Sequence, residues 1–253
     1  SDFLFYLKEN FLSEEKVKRT DIHCYIAKCK SSGDSLKLIN RKMAAVRKYY
    51  SYLQKRGRIS GNPADGLYLR TRKKSIPTGM LTEAELKLLY ESYQVTDLRT
   101  ARNKVILSLM VNQAVTTDDI GRLEPVHVLL REGKIRIPGS RHEAGRTLDL
   151  KASQVIELQE YLQKIRPEIL GSIKKKNITP GRKAENPDPE KLSRQLFISM
   201  HGSAEMKNSL MHLVRALRQI NPKVCSCRHI RQSVITIWLK RYDLRTVQYM
   251  AGH

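Results

Sequence analysis

The residues best suited to oxyanion chemistry are the run Arg228-His229-Ile230-Arg231 and, 22 residues after Arg231, the triplet Ala251-Gly252-His253. A guanidinium is a planar fork of N–H donors that grips two oxygens at once, and an imidazole can donate a further hydrogen bond or move a proton near neutral pH. The surrounding charge favours an anionic partner. The chain of 253 residues and 29.2 kDa holds 47 Lys+Arg against 25 Asp+Glu, a net charge of +22 and a pI near 10.0. Such an excess favours nucleic acid, and counterion release should make its binding salt-sensitive. Only 6% of residues are aromatic and no stacking platform stands out, which argues against single-stranded RNA.

Other classes recede on composition. With 40% hydrophobic residues the chain can bury real cores. No apolar run reaches the ~18 residues of a membrane span, so no membrane partner is expected. The start, SDFLFYLKEN, lacks the basic and apolar regions of a secretory signal. It also lacks Met and begins inside a helical pattern, so a trimmed chain is expected. Cys24, Cys29, Cys225 and Cys227 form no paired C-x-x-C framework, which points to reduced cytoplasmic thiols and no metal.

The elements that must position these residues follow from periodicity. Helical patterns run from Phe3 to Phe11 and from a Thr20-Asp21 cap to about Lys30. After the turn Ser31-Ser32-Gly33-Asp34, with Asp34 or Ser35 as N-cap, Leu36, Ile39, Met43, Val46, Tyr50 and Leu53 make one apolar stripe. The opposite face carries Lys37, Arg41, Lys42, Arg47 and Lys48, nearly all of one sign, and is a candidate phosphate-facing surface. Gly57 ends that helix, and Gly61-Asn62-Pro63 opens a turn into a short final element. The basic stretch holding Arg72, Lys73 and Lys74 reads as a linker. The expected domains are therefore 1–73 and 80–253, with a basic linker at 74–79.

In the second part, Thr82 and Glu85 form a capping box. Helices are expected over about Arg99–Gln113, from a Thr116 or Thr117 cap to Leu123, Ala152–Ile165, Ala204–Ile220, Ser226–Tyr242 and Leu244–Met250. Short, partly alternating runs between residues 126 and 150 predict a small antiparallel sheet. Lys174 to Pro189 reads as a loop. The fold class expected is mainly α with a small antiparallel β-sheet.

This order of elements, the Asn62-Pro63-Ala64 that closes the first part, and the two C-terminal motifs together resemble the tyrosine recombinase (phage integrase) family along essentially the whole chain. The resemblance implies a helical core-binding domain of four to five helices, then an α+β catalytic domain, the two closing around duplex DNA as a C-shaped clamp. It places Arg231 on the family's second catalytic arginine, His253 on the histidine of its Gly-His box, and Arg228 where the family usually has histidine. His229 then becomes a neighbour. It implies a tyrosine nucleophile, a 3′-phosphotyrosyl intermediate, no cofactor, metal or ATP, and a homo-oligomer (a tetramer on DNA) in the bacterial, nucleoid-associated cytoplasm.

The departures from the family pattern define the remaining expectations. The family's Gly-Leu-Arg-x-x-Glu-Leu reads Ala114-Val115-Thr116-Thr117-Asp118-Asp119-Ile120, so Thr116 stands at the first catalytic arginine, as in a mobile-element branch that also lacks it. Its hydroxyl can donate one neutral hydrogen bond, and Arg122 or Arg141 is a candidate for the missing charge. The hairpin Gly139 to Arg146 has no lysine where the family has its general acid. Arg141 aligns best, and His142 is a candidate to move the proton, because an arginine with a pKa above about 12 is a poor acid. The family nucleophile follows the Gly-His box, whereas Tyr242 and Tyr249 precede it, Tyr249 as an expected core position. The chain as given is therefore expected to bind DNA without forming the covalent link, and to be monomeric. The alternative is a catalytically degenerate DNA-binding regulatory protein on the same scaffold.

Overall fold

The structure is a computed structural model describing residues 2–70, 79–141, 143–177, 189–202 and 206–253, with the side chains of 174–177 and 189–191 outside that description. Chain contacts divide it into two compact units, Ser1–Ile76 and Pro77–His253.

The first unit packs α1 (Asp2–Glu9), α2 (Arg19–Ser31) and α3 (Leu36–Lys55) around one core. Ser35 is the N-cap of α3, its hydroxyl accepting from the Leu38 N–H at 3.2 Å. Ile39, Met43, Val46, Tyr50 and Leu53 are all buried, as their spacing of three and four requires, while Leu36 at the frayed start is exposed. Among the described residues no fourth helix follows. Asn62 donates to the Arg47 carbonyl and the Ser51 hydroxyl and accepts from the Ala64 N–H, which locks the Asn62-Pro63-Ala64 stretch as a turn. Pro63 brings no N–H with which to propagate a helix there.

The second unit is built on α5 (Leu98–Gln113), whose Val105 to Met110 are buried on every side. Around it stand α4 (Glu83–Ser92), α7 (Ala152–Glu160), α8 (Arg166–Asn177), α10 (Lys207–Ile220) and α11 (Cys227–Trp238), with the short α6 (Thr117–Arg122), α9 (Pro189–Arg194) and α12 (Leu244–Ala251). Thr82 and Glu85 form the expected capping box. The helix expected to stop at Ile165 continues instead. Tyr161–Ile165 is one π turn, which widens the helix and admits Pro167 despite its missing N–H. The expected loop at Lys174 is likewise helical to Asn177, and 178–188 lie outside the described residues.

Three strands, β1 (Val128–Leu129), β2 (Lys134–Ile137) and β3 (Arg146–Asp149), pair antiparallel in sequence order. The register sets Ile135 opposite Leu148 and Ile137 opposite Arg146, so Arg146 shares the buried face. No described helix is long and apolar enough to cross a membrane.

One packing feature carries a pH signature. Burial pushes the Glu157 carboxyl up to about 7, with the Tyr90 hydroxyl as its donor and Oε2 without a partner among the described residues. A carboxyl raised on folding contributes its stability below its unfolded pKa and loses it as pH rises through the folded value. Stability should therefore fall by about 1 to 2 kcal/mol between pH 5 and pH 8, after discounting for partial exposure. Urea melts of Glu157→Gln should lose most of that dependence.

Candidate functional site

Four pieces of the second unit converge on one point: the turn from α5 to α6, the β2–β3 hairpin, the first turns of α11 and the end of α12. Ser226 caps α11 by accepting from the His229 N–H, which fixes the helix start at Cys227, four residues ahead of Arg231. Arg231 is buried, its side chain 9% exposed. It donates through Nη1 to the Ala114 carbonyl and through Nη2 to the Ala251 carbonyl at 2.6 Å. Ala114 ends α5 in the left-handed conformation (φ +50), which places its carbonyl in reach of that guanidinium. Two of the five N–H bonds of Arg231 are thus spent on orientation, leaving others for a ligand. The nearest anion is Glu143 of the hairpin, at 3.6 Å. Burial lowers the Arg231 pKa, and the neighbouring Arg146 charge lowers it further.

Gly252 closes α12 at φ +73, with its N–H on the Tyr249 carbonyl and its own carbonyl accepting from the Ala144 N–H at 3.0 Å. A Cβ there would stand 2.5 Å from Arg146 Nη1 and 3.1 Å from the Ala144 carbonyl. Gly252→Ala should cost about 2 kcal/mol, read from urea denaturation, because both the conformation and the space exclude a side chain. His253 follows directly and is exposed.

Beneath Gly252 lies a buried ion pair. Arg146 Nη2 donates to Asp119 Oδ2 at 2.8 Å, both side chains being fully buried, and Arg122 takes the other carboxylate oxygen at 2.9 Å. Burial works against the Asp119 charge, but the Thr116 N–H and the Arg146 charge outweigh it and hold its pKa below the ordinary value. Asp119 stood at the glutamate of the aligned motif without being given a role, and neither Glu143 nor Arg146 was a candidate. Arg146 had one sequence signal, its alternation with Leu148 along β3.

The remaining sequence candidates fall into distinct places. Thr116 is the N-cap of α6, its hydroxyl oxygen accepting from the Asp119 N–H at 3.0 Å. Arg228 is exposed on the first turn of α11 and lines a groove of about 1160 Å³ with Arg122, Lys207, Arg215 and Arg218. Arg141 is exposed at the hairpin, and His142 lies outside the described residues. His229 is buried, its Nε2 on the Gly79 carbonyl at 3.1 Å.

Tyr249 is a correction. It is half-exposed, not core, because α12 is short and turns Val247 and Ala251 inward, leaving Tyr249 to reach β3, where its hydroxyl accepts from the Thr147 N–H. On α3, Lys37, Arg41 and Lys48 are exposed, but two members of the basic face are tied down. Lys42 is held by Asp34 and Asp2, which raise its pKa, and Arg47 donates to the Leu67 carbonyl and stacks on Tyr68. Arg72, Lys73 and Lys74 lie outside the described residues.

Fold and site together define a mainly helical, two-unit protein whose second unit holds an arginine-rich centre against a Gly-His turn. The sequence pattern described as "Phage integrase, N-terminal SAM-like domain" matches residues 1–57. Tyrosine recombinase XerD of Shewanella oneidensis is 24% identical over 98% of this chain and 77% of its own length. Tyrosine recombinase XerC of Pelotomaculum thermopropionicum is 27% identical over 90% of this chain and 71% of its own length. Among solved structures, XerH site-specific recombinase bound to a palindromic difH substrate (TM-score 0.68, 18% identity, 98% of this chain and 69% of that one) shares the fold. So does the Tn1549 transposon integrase in complex with circular intermediate DNA (TM-score 0.60, 15% identity, 94% and 78%). Over nearly its whole length the chain is thus similar to tyrosine recombinases, and its first 57 residues match the phage integrase N-terminal domain pattern.

Proposed function

We propose that the protein is a site-specific DNA recombinase that cuts and rejoins duplex DNA through a 3′-phosphotyrosyl intermediate. The observation that carries this reading is Arg231, buried and oriented by two backbone carbonyls at the Ala251-Gly252-His253 turn with N–H donors to spare. When a tyrosine oxygen attacks phosphorus, charge builds on the non-bridging oxygens. Arg231 grips them, and His253 donates a further hydrogen bond. The P–O5′ bond breaks, the 5′-hydroxyl leaves with a proton, and a 5′-hydroxyl of a second duplex later reverses the step. The bond energy stays in the tyrosyl phosphodiester, so the scheme calls for neither metal nor ATP.

Arg228 contributes charge where the family usually has histidine. In the hairpin, His142 is the group able to supply the proton and Arg141 supports it by charge. The attacking tyrosine, by resemblance, belongs C-terminal to His253. Tyr249 is engaged with Thr147, which argues against its serving. Lys37, Arg41 and Lys48 of α3 would contact phosphates, and the assembly on DNA would be a tetramer. Duplex affinity should then fall about a thousandfold or more from about 50 to about 200 mM salt.

A second reading, a degenerate DNA-binding regulator, is favoured by Thr116 serving as a cap and by the hairpin lacking lysine. A nicked suicide duplex separates the two when mixed with the protein extended through the tyrosine segment. The recombinase reading expects an adduct that survives denaturation. Tight duplex binding without any adduct would leave the regulator.

A further inference from the structure

We propose that Arg146, delivered from the start of β3, is the second guanidinium of the phosphate site and takes the place of the arginine that the family carries where this chain has Thr116. The proposal rests on the recombinase reading of the Arg231 centre and adds a residue to it.

Arg146 is 0% exposed at its side chain, yet only Nη2 is partnered, by Asp119 at 2.8 Å. Nε and Nη1 are buried without a hydrogen-bond partner among the described residues. Three N–H bonds on a buried cation are a large deficit, since native interiors rarely leave even one donor unmet. The deficit sits at the centre itself. Nη1 lies where a Cβ on Gly252 would meet it, one residue before His253, and Arg231 grips the Ala251 carbonyl one residue earlier. Two guanidiniums therefore flank the same three residues.

The charges around them do not balance. Asp119 serves both Arg146 and Arg122, while Glu143 stands 3.6 Å from Arg231, beyond good hydrogen-bond distance. An oxyanion entering between Arg146 and Arg231 would satisfy the open donors and relieve the repulsion between the two cations. Glu143 occupies the approach, so the ligand displaces its carboxylate. The alternative cations fit less well. Arg122 pairs on the groove side of Asp119 and lines the surface with Arg228, and Arg141 is exposed on the hairpin.

Thr116 completes the argument. A threonine has no charge to offer, and its oxygen is committed to the Asp119 N–H. Its short side chain caps the helix that presents Asp119, and Asp119 holds Arg146 in place. The charge that position 116 does not supply comes instead from the start of β3.

The test is a titration of this chain with inorganic phosphate, following the side-chain Nε–H signals of Arg146 and Arg231, assigned through Arg146→Lys and Arg231→Lys. Both signals should move along one saturation curve. Movement of Arg231 alone would overturn the role of Arg146 and leave the recombinase reading standing. Movement of neither would remove both. In a second arm, Arg146→Gln should weaken phosphate about tenfold, the scale of one charge-assisted contact. Adding Thr116→Arg to that variant should recover affinity to within about threefold. An arginine that only braces Asp119 predicts no recovery. If Arg146→Gln fails to fold, the wild-type titration decides alone.

Discussion

In the protein extended through the tyrosine segment, Arg231→Lys should lower the rate of covalent adduct formation by about a thousandfold while changing duplex affinity by less than about threefold. The charge is kept, so the long-range attraction of a chain carrying +22 barely changes. What is lost is geometry. One guanidinium reaches the Ala114 carbonyl, the Ala251 carbonyl and the space before His253 together, and an ammonium on a flexible stem cannot span all three. Loss of a single preorganised donor at a developing oxyanion typically costs a hundred- to a thousandfold (about 10²–10³), and here the orientation of the Gly-His turn goes with it. The two carbonyls left with a poorer donor should also cost about 1 to 3 kcal/mol of stability. Adduct rates, competition binding and urea melts read the three effects separately. An adduct rate within tenfold of wild type would contradict the assignment.

Asp119→Asn is the substitution with the largest expected effect on folding. Arg146 is fully buried, and Asp119 is its only carboxylate among the described residues, so removing the charge leaves an uncompensated cation in the interior. Breaking such a pair typically costs about 3 to 5 kcal/mol, a large share of what holds a domain together. The amide oxygen can still accept from the Thr116 N–H, and the backbone N–H at 119 still donates to the Thr116 hydroxyl oxygen, so the α6 cap survives in part. The pH dependence gives a second readout. A carboxyl whose pKa is depressed on folding contributes stability above its unfolded value near 4 and loses it as pH falls through the folded value. Wild-type stability should therefore drop in acid, and the variant should lack that component. A variant as stable as wild type would mean that Arg146 finds another partner.

These two residues also mark where sequence reasoning reached and where it stopped. That Arg231 lies against the Ala251-Gly252-His253 turn was legible because the spacing from one helix start to that turn is local and survives without knowledge of packing. The α3 stripe from Ile39 to Leu53 and the Thr82–Glu85 box were legible for the same reason: periodicity and capping are properties of one element. Arg146 was not. In a basic, Gly-rich hairpin a cation reads as solvated, and only the pairing of Ile137 with Arg146 turns it inward. Register belongs to two strands and is weakly written in either.

Long-range partners account for the other differences. Lys42 looked like one more cation on an open face, but Asp2 approaches it from another helix. Tyr249 looked like core in an apolar helix, yet α12 has only two turns, and its Tyr249 face meets the edge of β3. The turn expected at Gly61-Asn62-Pro63 is present, held by the Asn62 side chain reaching back to Arg47 and Ser51, but among the described residues no helix follows it.

Whether the Arg231 centre holds a DNA phosphate is read most directly from a structure of the protein on duplex DNA. The predicted result is a backbone phosphate within hydrogen-bond distance of Arg231 and beside His253, with the Glu143 carboxylate moved away from its present 3.6 Å approach. A complex in which every phosphate lies elsewhere, and Glu143 still faces Arg231, would contradict the account.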